Sequence, residues 1–182
     1  MYPRVCNIVA SVQLSCSLSL SALSARMNNC EYNPRRFNPL IARTKSPRTT
    51  ALIYASGKFV ITGARCMEDL DQAVRVHVRA IMKAGNPTCR WVSTSVTNMV
   101  ASCDIRAPLR LDALQMALGG FSGGANLDSE IFPGLIYRLC DPAVTMNIFS
   151  TGKVIILGAS SYPVIIAAIE KTLPIFLLYK RD

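Results

Sequence analysis

The side chains best suited to do chemistry in this chain are cations that border short apolar segments. Guanidinium and ammonium groups bind phosphates, and apolar side chains between them would meet the sugar edges of a nucleic-acid minor groove. The pattern therefore predicts binding of an anionic polymer rather than covalent catalysis. The bordering cations are Arg35, Arg36, Arg43, Lys45, Arg48, Lys58, Arg138 and Lys153.

The charge balance of the whole chain also favours an anionic partner. Its 182 residues include 20 Lys and Arg against 11 Asp and Glu, which gives a formal net charge of +9. Nucleic acid is the first candidate and an anionic membrane surface the second, while a soluble protein that is merely basic remains an alternative. The hydrophobic fraction of 51% predicts a sizeable core.

The sequence contains no pattern typical of an enzyme or a metal site. Its single histidine is His77, and its seven cysteines are scattered without a C-x-x-C pair. We therefore predict reduced core cysteines, no zinc site, no cofactor and no catalytic activity. No apolar run reaches the ~18 residues of a membrane span. Alternating serines in residues 9–25 argue against a signal peptide.

An internal repeat organises the chain. The sequence Asn-Ile-Val-Ala-Ser at residues 7–11 returns as Asn-Met-Val-Ala-Ser at residues 98–102, an offset of 91, and from Phe37 onward the offset is 95. The four additional residues belong to the segment Gly119–Gly124, a flexible insertion by composition whose binding role is left open. We predict a first copy at residues 5–90 and a second copy at residues 96–179, joined in one domain.

The best-matched segments of the two copies predict β-hairpins. Residues 49–64 and 144–159 each contain an apolar run, a Ser/Thr-Gly-Lys turn and a second apolar run ending in Gly-Ala. A short helix is expected before each hairpin, near residues 17–26 and 109–118, and a longer one after it. Gly85 should end the first long helix, whereas Ser160 or Ser161 should cap the second and Pro174 should end it. This order predicts an α+β fold with an antiparallel sheet backed by helices.

Alternation of side chains gives each predicted strand two faces. Ile8, Ile53 and Ile61 suit the face that packs on the helices. The opposite face is mostly apolar without a helix to cover it, which indicates a partner site, although a sandwich buried on both faces is an alternative. This face presents Asn7, Val9, Leu52, Tyr54, Val60 and Thr62 in the first copy, and Asn98, Val100, Asn147, Phe149, Ile155 and Leu157 in the second.

Several motifs at matched positions give the chain a resemblance to the TATA-box-binding protein family over nearly its whole length. In the first copy they are Glu-Tyr-Asn-Pro-Arg-Arg-Phe at residues 31–37, Pro-Arg-Thr-Thr-Ala-Leu-Ile at residues 47–53 and Ser-Gly-Lys at residues 56–58. In the second copy they are Ser-Cys-Asp at residues 102–104 and Ile-Phe-Pro-Gly-Leu-Ile-Tyr-Arg at residues 131–138. The resemblance implies a pseudo-two-fold saddle: one curved antiparallel sheet of about ten strands, with two helices per copy on the convex side.

The resemblance also implies a role for each residue of the uncovered face, which would bind and bend DNA through the minor groove. Aromatic pairs would wedge between base steps, and central amides would read minor-groove acceptors. The wedges are Phe37 with Tyr54, and Phe132, beside Pro133, with Phe149; the amides are Asn7 and Asn98. Apolar contacts or a hydroxyl come from Val9, Leu52, Val60, Thr62, Val100, Ile155 and Leu157, and phosphate contacts from Arg43, Arg48, Ser56, Lys58, Arg138, Thr151 and Lys153.

Departures from the family pattern concentrate on the surface that would read sequence. Leu157 replaces the threonine that twins Thr62, and Tyr54 replaces a phenylalanine wedge. Other departures are Cys6, Asn38, Thr97, Asp141, Ala143, Asn147 and Ile155. We therefore predict relaxed discrimination of TATA elements with the fold retained.

The resemblance further implies a nuclear initiation factor that nucleates a preinitiation complex on promoter DNA. Asp128, Glu130 and Ile131 would meet a TFIIB-type or Brf-type factor, and Arg75, Arg79 and Lys83 on the first long helix a TFIIA-type factor, unless that helix is only a solvated face. The alternative function is a protein scaffold in a transcription complex with weak DNA binding of its own. Neither a membrane nor a small-molecule substrate is expected as a partner. The polymerase system and the preferred DNA sequence are left open.

Overall fold

The computed structural model describes residues 2–119 and 124–181, which contain ten strands and four helices. The strands form one antiparallel sheet in the order β2-β3-β4-β5-β1-β6-β10-β9-β8-β7, so the predicted α+β architecture is confirmed. The remainder of the glycine-rich insertion, residues 120–123, lies outside the described residues. The strands are β1 (Arg4–Leu14), β2 (Cys30–Asn33), β3 (Phe37–Lys45), β4 (Arg48–Ile53), β5 (Lys58–Ala64), β6 (Trp91–Asp104), β7 (Ala125–Leu127), β8 (Leu135–Cys140), β9 (Ala143–Ile148) and β10 (Lys153–Ala159).

The chain divides into two compact units, Asn7–Thr97 and Met1–Cys6 with Asn98–Asp182. Each unit contains one short and one long helix. The first unit has α1 (Leu20–Arg26) and α2 (Met67–Lys83), and the second has α3 (Leu111–Gly119) and α4 (Tyr162–Leu178). The short helices differ from their predicted bounds, since α1 begins three residues later than expected, and α3 begins two residues later and ends one residue later.

The core of each unit lies between its strands and its long helix. In the first unit, Ile53, Phe59 and Ile61 are fully buried, as are Val74 and Ile81 on α2. The core of the second unit includes Met146, Ile148, Ile156, Ile165 and Phe176. The apolar face of each long helix, formed by residues that repeat about every 3.6 positions, therefore packs against the apolar face of the strands, formed by every second residue, as the sequence pattern predicts.

The two long helices end differently from each other. Helix α2 has acidic Glu68 and Asp69 in its first turn and Lys83 in its last, which complements the helix dipole, and Gly85 follows with φ 111° as predicted. The prediction that Pro174 ends α4 is wrong, because the helix continues to Leu178. Pro174 lacks the N–H that would bond to the carbonyl of Glu170, but the buried Phe176 beyond it keeps the last turn packed.

The prediction of reduced core cysteines is also wrong for part of the set. Cys16 and Cys89, 73 residues apart, form a disulfide in the first unit, with their Cα atoms 5.6 Å apart. Cys6, Cys66 and Cys140 are exposed rather than in the core. Among the described residues, no helix is long and apolar enough to cross a membrane.

Candidate nucleic-acid interface

On the face of each unit that no helix covers, the side chains of the sheet are half-buried and form a strip. In the first hairpin, β4 pairs with β5 and Leu52 lies opposite Val60. Both are half-buried, whereas Ile53 and Phe59 on the other face are completely buried. The second hairpin repeats this alternation, with β9 paired to β10 and Asn147 opposite Ile155. The predicted parity is therefore confirmed, and the alternative of a sandwich buried on both faces is wrong.

The Asn7 side chain is held by a bulge in the neighbouring strand. Register between β1 and β5 shifts between Ile8 and Val9, and Gly63 adopts φ 107° there. This turns the Gly63 N–H toward Asn7, whose Oδ1 accepts it at 2.8 Å. Thr62 Oγ1 lies 3.2 Å from Asn7 Nδ2. Because the backbone occupies the amide oxygen, the amide nitrogen remains the available donor.

The second copy builds the same arrangement around Asn98 with one partner fewer. Gly158 has φ 87°, and its N–H donates to Asn98 Oδ1 at 2.9 Å. Leu157 stands at the position of Thr62, so this copy has no hydroxyl beside the amide. The residue pair Gly-Ala that ends each hairpin in the sequence is thus the signal for a bulge that orients an amide. The Nδ2 group of Asn98 has no hydrogen-bond partner among the described residues.

The aromatic pair of the second copy is preformed. The rings of Phe132 and Phe149 lie 5.7 Å apart between centroids and are tilted by 59°, which is within the range of separation at which aromatic pairs attract each other. Gly134 makes room for them, since a Cβ there would come within 2.9 Å of Phe132 Cε1 and 3.2 Å of Phe149 Cε1. Sequence patterns did not identify this glycine as part of the site.

The aromatic pair of the first copy is less enclosed. Phe37 is 46% exposed, and Tyr54 is half-buried. Pro39 occupies the position that matches Gly134, and the described residues contain no ring-to-ring contact between Phe37 and Tyr54. The structure therefore brings together one of the two predicted wedge pairs before any ligand binds.

Each hairpin turn presents a hydroxyl and a cation at its tip. Ser56 and Lys58 in the first turn are exposed, as are Thr151 and Lys153 in the second. The turns are anchored from below, where Leu14 N donates to the carbonyl of Gly57 and Ile105 N to that of Gly152, each at 2.9 Å. The predicted phosphate ligands are thus displayed on turns that are held in place by the ends of β1 and β6, the strands next to each hairpin in the sheet.

The cations beside the sheet are distributed unequally between the copies. In the first, Arg43, Lys45 and Arg48 line an open cavity of about 730 Å³, where Glu31 lies 3.6 Å from Arg43 in an exposed ion pair. In the second, Arg138 is exposed, but Cys140 and Ala143 stand at the positions of Lys45 and Arg48. The first copy therefore has more cations at this edge than the second.

Comparisons with known proteins agree with this geometry. The family described as "Transcription factor TFIID (or TATA-binding protein, TBP)" matches residues 2–84 and 93–179, which also confirms the internal repeat. The chain belongs to the TATA-binding protein family. It is 42% identical to the TATA-box-binding protein of Spodoptera frugiperda over 99% of this chain and 57% of that protein. It is also 42% identical to TATA box-binding protein-like 2 of Homo sapiens over 98% of this chain and 51% of that protein.

A solved structure of the TATA-binding protein family has the same fold. The TBP of Methanococcus jannaschii superposes with a TM-score of 0.82 and 30% identity, covering 96% of this chain and 97% of that one. The chain therefore has the fold of the TATA-binding protein family. The chain spans a little over half the length of the insect and human relatives named above.

The predicted partner-binding residues of this TATA-binding protein family member are at the surface. Ile131 is 83% exposed beside exposed Glu130 and Asp128, and the carbonyl of Asp128 accepts the N–H groups of Ile131 and Phe132. These hydrogen bonds join the acidic loop to Phe132, one of the predicted wedge residues.

On α2, Arg75, Arg79 and Lys83 follow the helix at intervals of four residues. Arg75 pairs with Asp71 at 2.9 Å and lies 6.0 Å from the ring of Trp91. Its charge is therefore partly satisfied within the unit. Among the described residues, no group of three or more His, Cys, Asp or Glu side chains could hold a metal ion.

A polar chain behind the first hairpin was not identified as such from the sequence. His77 on α2 is 1% exposed, and its Nε2 lies 3.5 Å from Thr49 Oγ1, which in turn lies 2.7 Å from Thr44 Oγ1. Burial lowers the pKa of the His77 imidazole from 6.5 to about 4, so it is neutral at physiological pH. In the sequence, a lone histidine on an apolar helix face does not reveal that its side chain will lie next to these buried threonine hydroxyls.

Proposed function

We propose that this protein is a promoter-binding transcription initiation factor that binds double-stranded DNA through the minor groove. The observation that supports this most directly is the pair of oriented amides. Each asparagine oxygen accepts a glycine N–H, which leaves a nitrogen donor on a half-buried apolar strip. The minor groove presents acceptors at every base pair, and the guanine amino group would oppose such a donor. The site thus favours A·T pairs.

Bending of the DNA follows from the aromatic pairs. Apolar wedges inserted between base steps kink the duplex and open its minor groove, and the TATA-binding protein family is itself the standard example of this behaviour. Phe132 and Phe149 already form a tilted pair at the edge of the strip. Cations at the hairpin turns, Lys58 and Lys153, would bind the flanking phosphates.

Discrimination of TATA sequences is proposed to be relaxed. Leu157 removes a hydroxyl from the second strip, Asn147 interrupts its apolar surface, and Tyr54 adds a hydroxyl to the first wedge. A buried hydroxyl without a partner costs about 1–3 kcal/mol. These changes weaken contacts with the DNA bases more than contacts with the DNA phosphates, because the rim of the first copy keeps its cations.

Recruitment of other factors in the nucleus forms the second part of the proposal. The exposed loop residues Asp128, Glu130 and Ile131 combine negative charge with an apolar anchor, which suits a TFIIB-type or Brf-type factor. The basic positions of α2 suit a TFIIA-type factor. The protein is proposed to act by binding alone, without catalysis.

The test uses competition binding of the full chain to a TATA duplex against a duplex with G·C substitutions. We expect binding to both, with a preference for TATA that is weaker than that of a close relative measured in parallel. A preference equal to that of the relative would refute relaxed discrimination. No complex even at low salt would refute direct DNA binding and favour the scaffold alternative.

A matched pair of variants tests the amide mechanism in the same assay. Asn98→Asp replaces the available donor with an acceptor beside the groove, so affinity should fall at least about 10-fold, or 1.4 kcal/mol. Asn126→Asp makes the same chemical change on exposed β7 and should have little effect. Equal losses in the two variants would show that net charge, rather than amide geometry, controls binding.

A further inference from the structure

The start of β1 contributes to an open cavity in the second unit. This cavity, of about 780 Å³, lies beside the second wedge and is lined by Phe149, Ile155 and Lys153. Tyr2 and Arg4 line it as well, although neither belongs to the set of residues predicted to bind DNA. The cavity therefore extends the proposed interface to a segment that sequence patterns did not mark.

Arg4 is available to a ligand in this cavity. It is exposed, and none of the ion pairs among the described residues includes it. Asp104 also lines the cavity, so the wall carries one acidic and two basic side chains, Arg4 and Lys153. A ligand with negative charge fits between the two cations better than an apolar one.

The backbone that carries Arg4 is fixed rather than free. Pro3 is buried, and its carbonyl accepts a hydrogen bond from the Tyr162 hydroxyl at the start of α4, at 3.3 Å. Strand β1 begins at the next residue. An anchored arginine loses less freedom on binding than one on a loose terminus.

The position of Arg4 is specific to one copy. At the offset of 91, Tyr2 and Arg4 correspond to Ser93 and Ser95, which carry no charge. The rim of the second copy has conversely lost the cations that match Lys45 and Arg48. Arg4 thus supplies positive charge to the copy that lacks it.

We propose that Arg4 binds a phosphate of the DNA backbone beside the base step that Phe132 and Phe149 open. This inference rests on the proposed DNA-binding function. The guanidinium group forms charge-assisted hydrogen bonds with phosphate oxygens. Lys153, which lines the same cavity from the hairpin turn, would bind a neighbouring phosphate. Arg4 adds affinity without reading the base sequence.

Salt dependence of binding tests the contact. The affinity of the full chain for a TATA duplex is measured over a range of salt concentrations for the wild type, Arg4→Gln, Arg4→Lys and Arg110→Gln. Each phosphate contact contributes about 0.9 to the slope of log affinity against log salt concentration. Arg4→Gln should lower the slope by about that amount, whereas Arg4→Lys should retain it.

Arg110→Gln is the control, since it removes the same charge from an exposed arginine that lines a different cavity of the same unit. Its slope should match that of the wild type. An unchanged slope in Arg4→Gln, or an equal decrease in Arg110→Gln, would overturn the contact while leaving DNA binding intact. Absence of DNA binding by the wild type would instead overturn the proposed function and the contact with it.

Ethylation interference locates the contact. One phosphate beside the kinked step should block binding of the wild type when ethylated but have no effect on Arg4→Gln. If both proteins show the same pattern of interference, Arg4 does not bind a phosphate there.

Discussion

The two copies of the repeat have the same bulges and hairpin turns but carry different side chains around them. The first copy keeps the rim cations, the hydroxyl of Thr62 beside its amide and a polar chain that ends at His77. The second copy keeps only Arg138 of these rim cations and has Leu157 and Thr172 in place of Thr62 and His77, yet its aromatic pair is preformed beside Gly134. The comparison teaches that backbone features, the bulges and hairpin turns, are retained together, while side-chain functions diverge between copies.

The largest expected difference between the copies is their response to acid. His77 of α2 corresponds at the offset of 95 to Thr172 of α4, whose hydroxyl donates to the carbonyl of Ala168 at 2.8 Å. The folded pKa of His77, about 4, lies below the 6.5 of the unfolded chain. Between pH 6.5 and 4 the unfolded state therefore binds more protons than the folded state. The contribution of neutral His77 to the free energy of unfolding is fully present above pH 6.5 and is lost as the pH falls toward 4. The loss approaches about 3 kcal/mol.

Urea unfolding at pH 7, 5.5 and 4.5 measures this loss, and hydrogen exchange shows where it occurs. Amides of α2 should lose protection before those of α4. His77→Gln keeps a polar side chain without a titratable group, so its free energy of unfolding should vary less with pH. Equal pH dependence in His77→Gln and the wild type would show that other groups cause the acid sensitivity. Nδ1 of His77 has no hydrogen-bond partner among the described residues, which agrees with a neutral, imperfectly satisfied ring.

Sequence patterns predicted the features that depend on local periodicity. The hairpins and the uncovered face follow from alternation and turn chemistry over fewer than twenty residues, whereas the bulges at the Gly-Ala pairs were not predicted. The prediction that Pro174 ends α4 was wrong because the hydrogen bond that proline removes from the helix is outweighed by the packing of Phe176. The Cys16–Cys89 disulfide and the place of Arg4 depend on contacts between distant segments, which no local pattern encodes. The roles of the DNA-binding residues remain predictions.

The next difference is the space that Gly134 provides for the second wedge. Gly134→Ala adds a Cβ within 2.9 Å of Phe132 Cε1 and 3.1 Å of the carbonyl of Ile148, so rings and backbone must move. We expect a loss of about 1–3 kcal/mol in the free energy of unfolding, as for other overpacked sites. DNA bending, measured by energy transfer between dyes at the duplex ends, should decrease as well.

Gly119→Ala is the matched control for this change. Among the described residues, no atom lies within 4 Å of a Cβ at Gly119, at the end of α3, so stability should stay the same or rise slightly. If Gly134→Ala is as stable as Gly119→Ala and bends DNA like the wild type, the wedge does not depend on this glycine. The corresponding Pro39 in the first copy shows that the two wedges use different supports.

The smallest difference is the hydroxyl beside each amide. Thr62 Oγ1 lies within 3.2 Å of Asn7 Nδ2, and Leu157 provides no such group to Asn98. Removing the first hydroxyl in Thr62→Val and adding the second in Leu157→Thr should change the discrimination between A·T and G·C pairs in opposite directions. Each change should be about 1 kcal/mol, the typical contribution of one hydrogen bond.

Competition between duplexes in which single A·T pairs are replaced by G·C measures the effect. Leu157→Thr should increase the penalty at the pairs next to the second strip, and Thr62→Val should reduce it next to the first. Penalties that remain at their wild-type values in both variants would mean that these hydroxyl positions do not explain relaxed readout, and that Asn147 or Tyr54 must carry it.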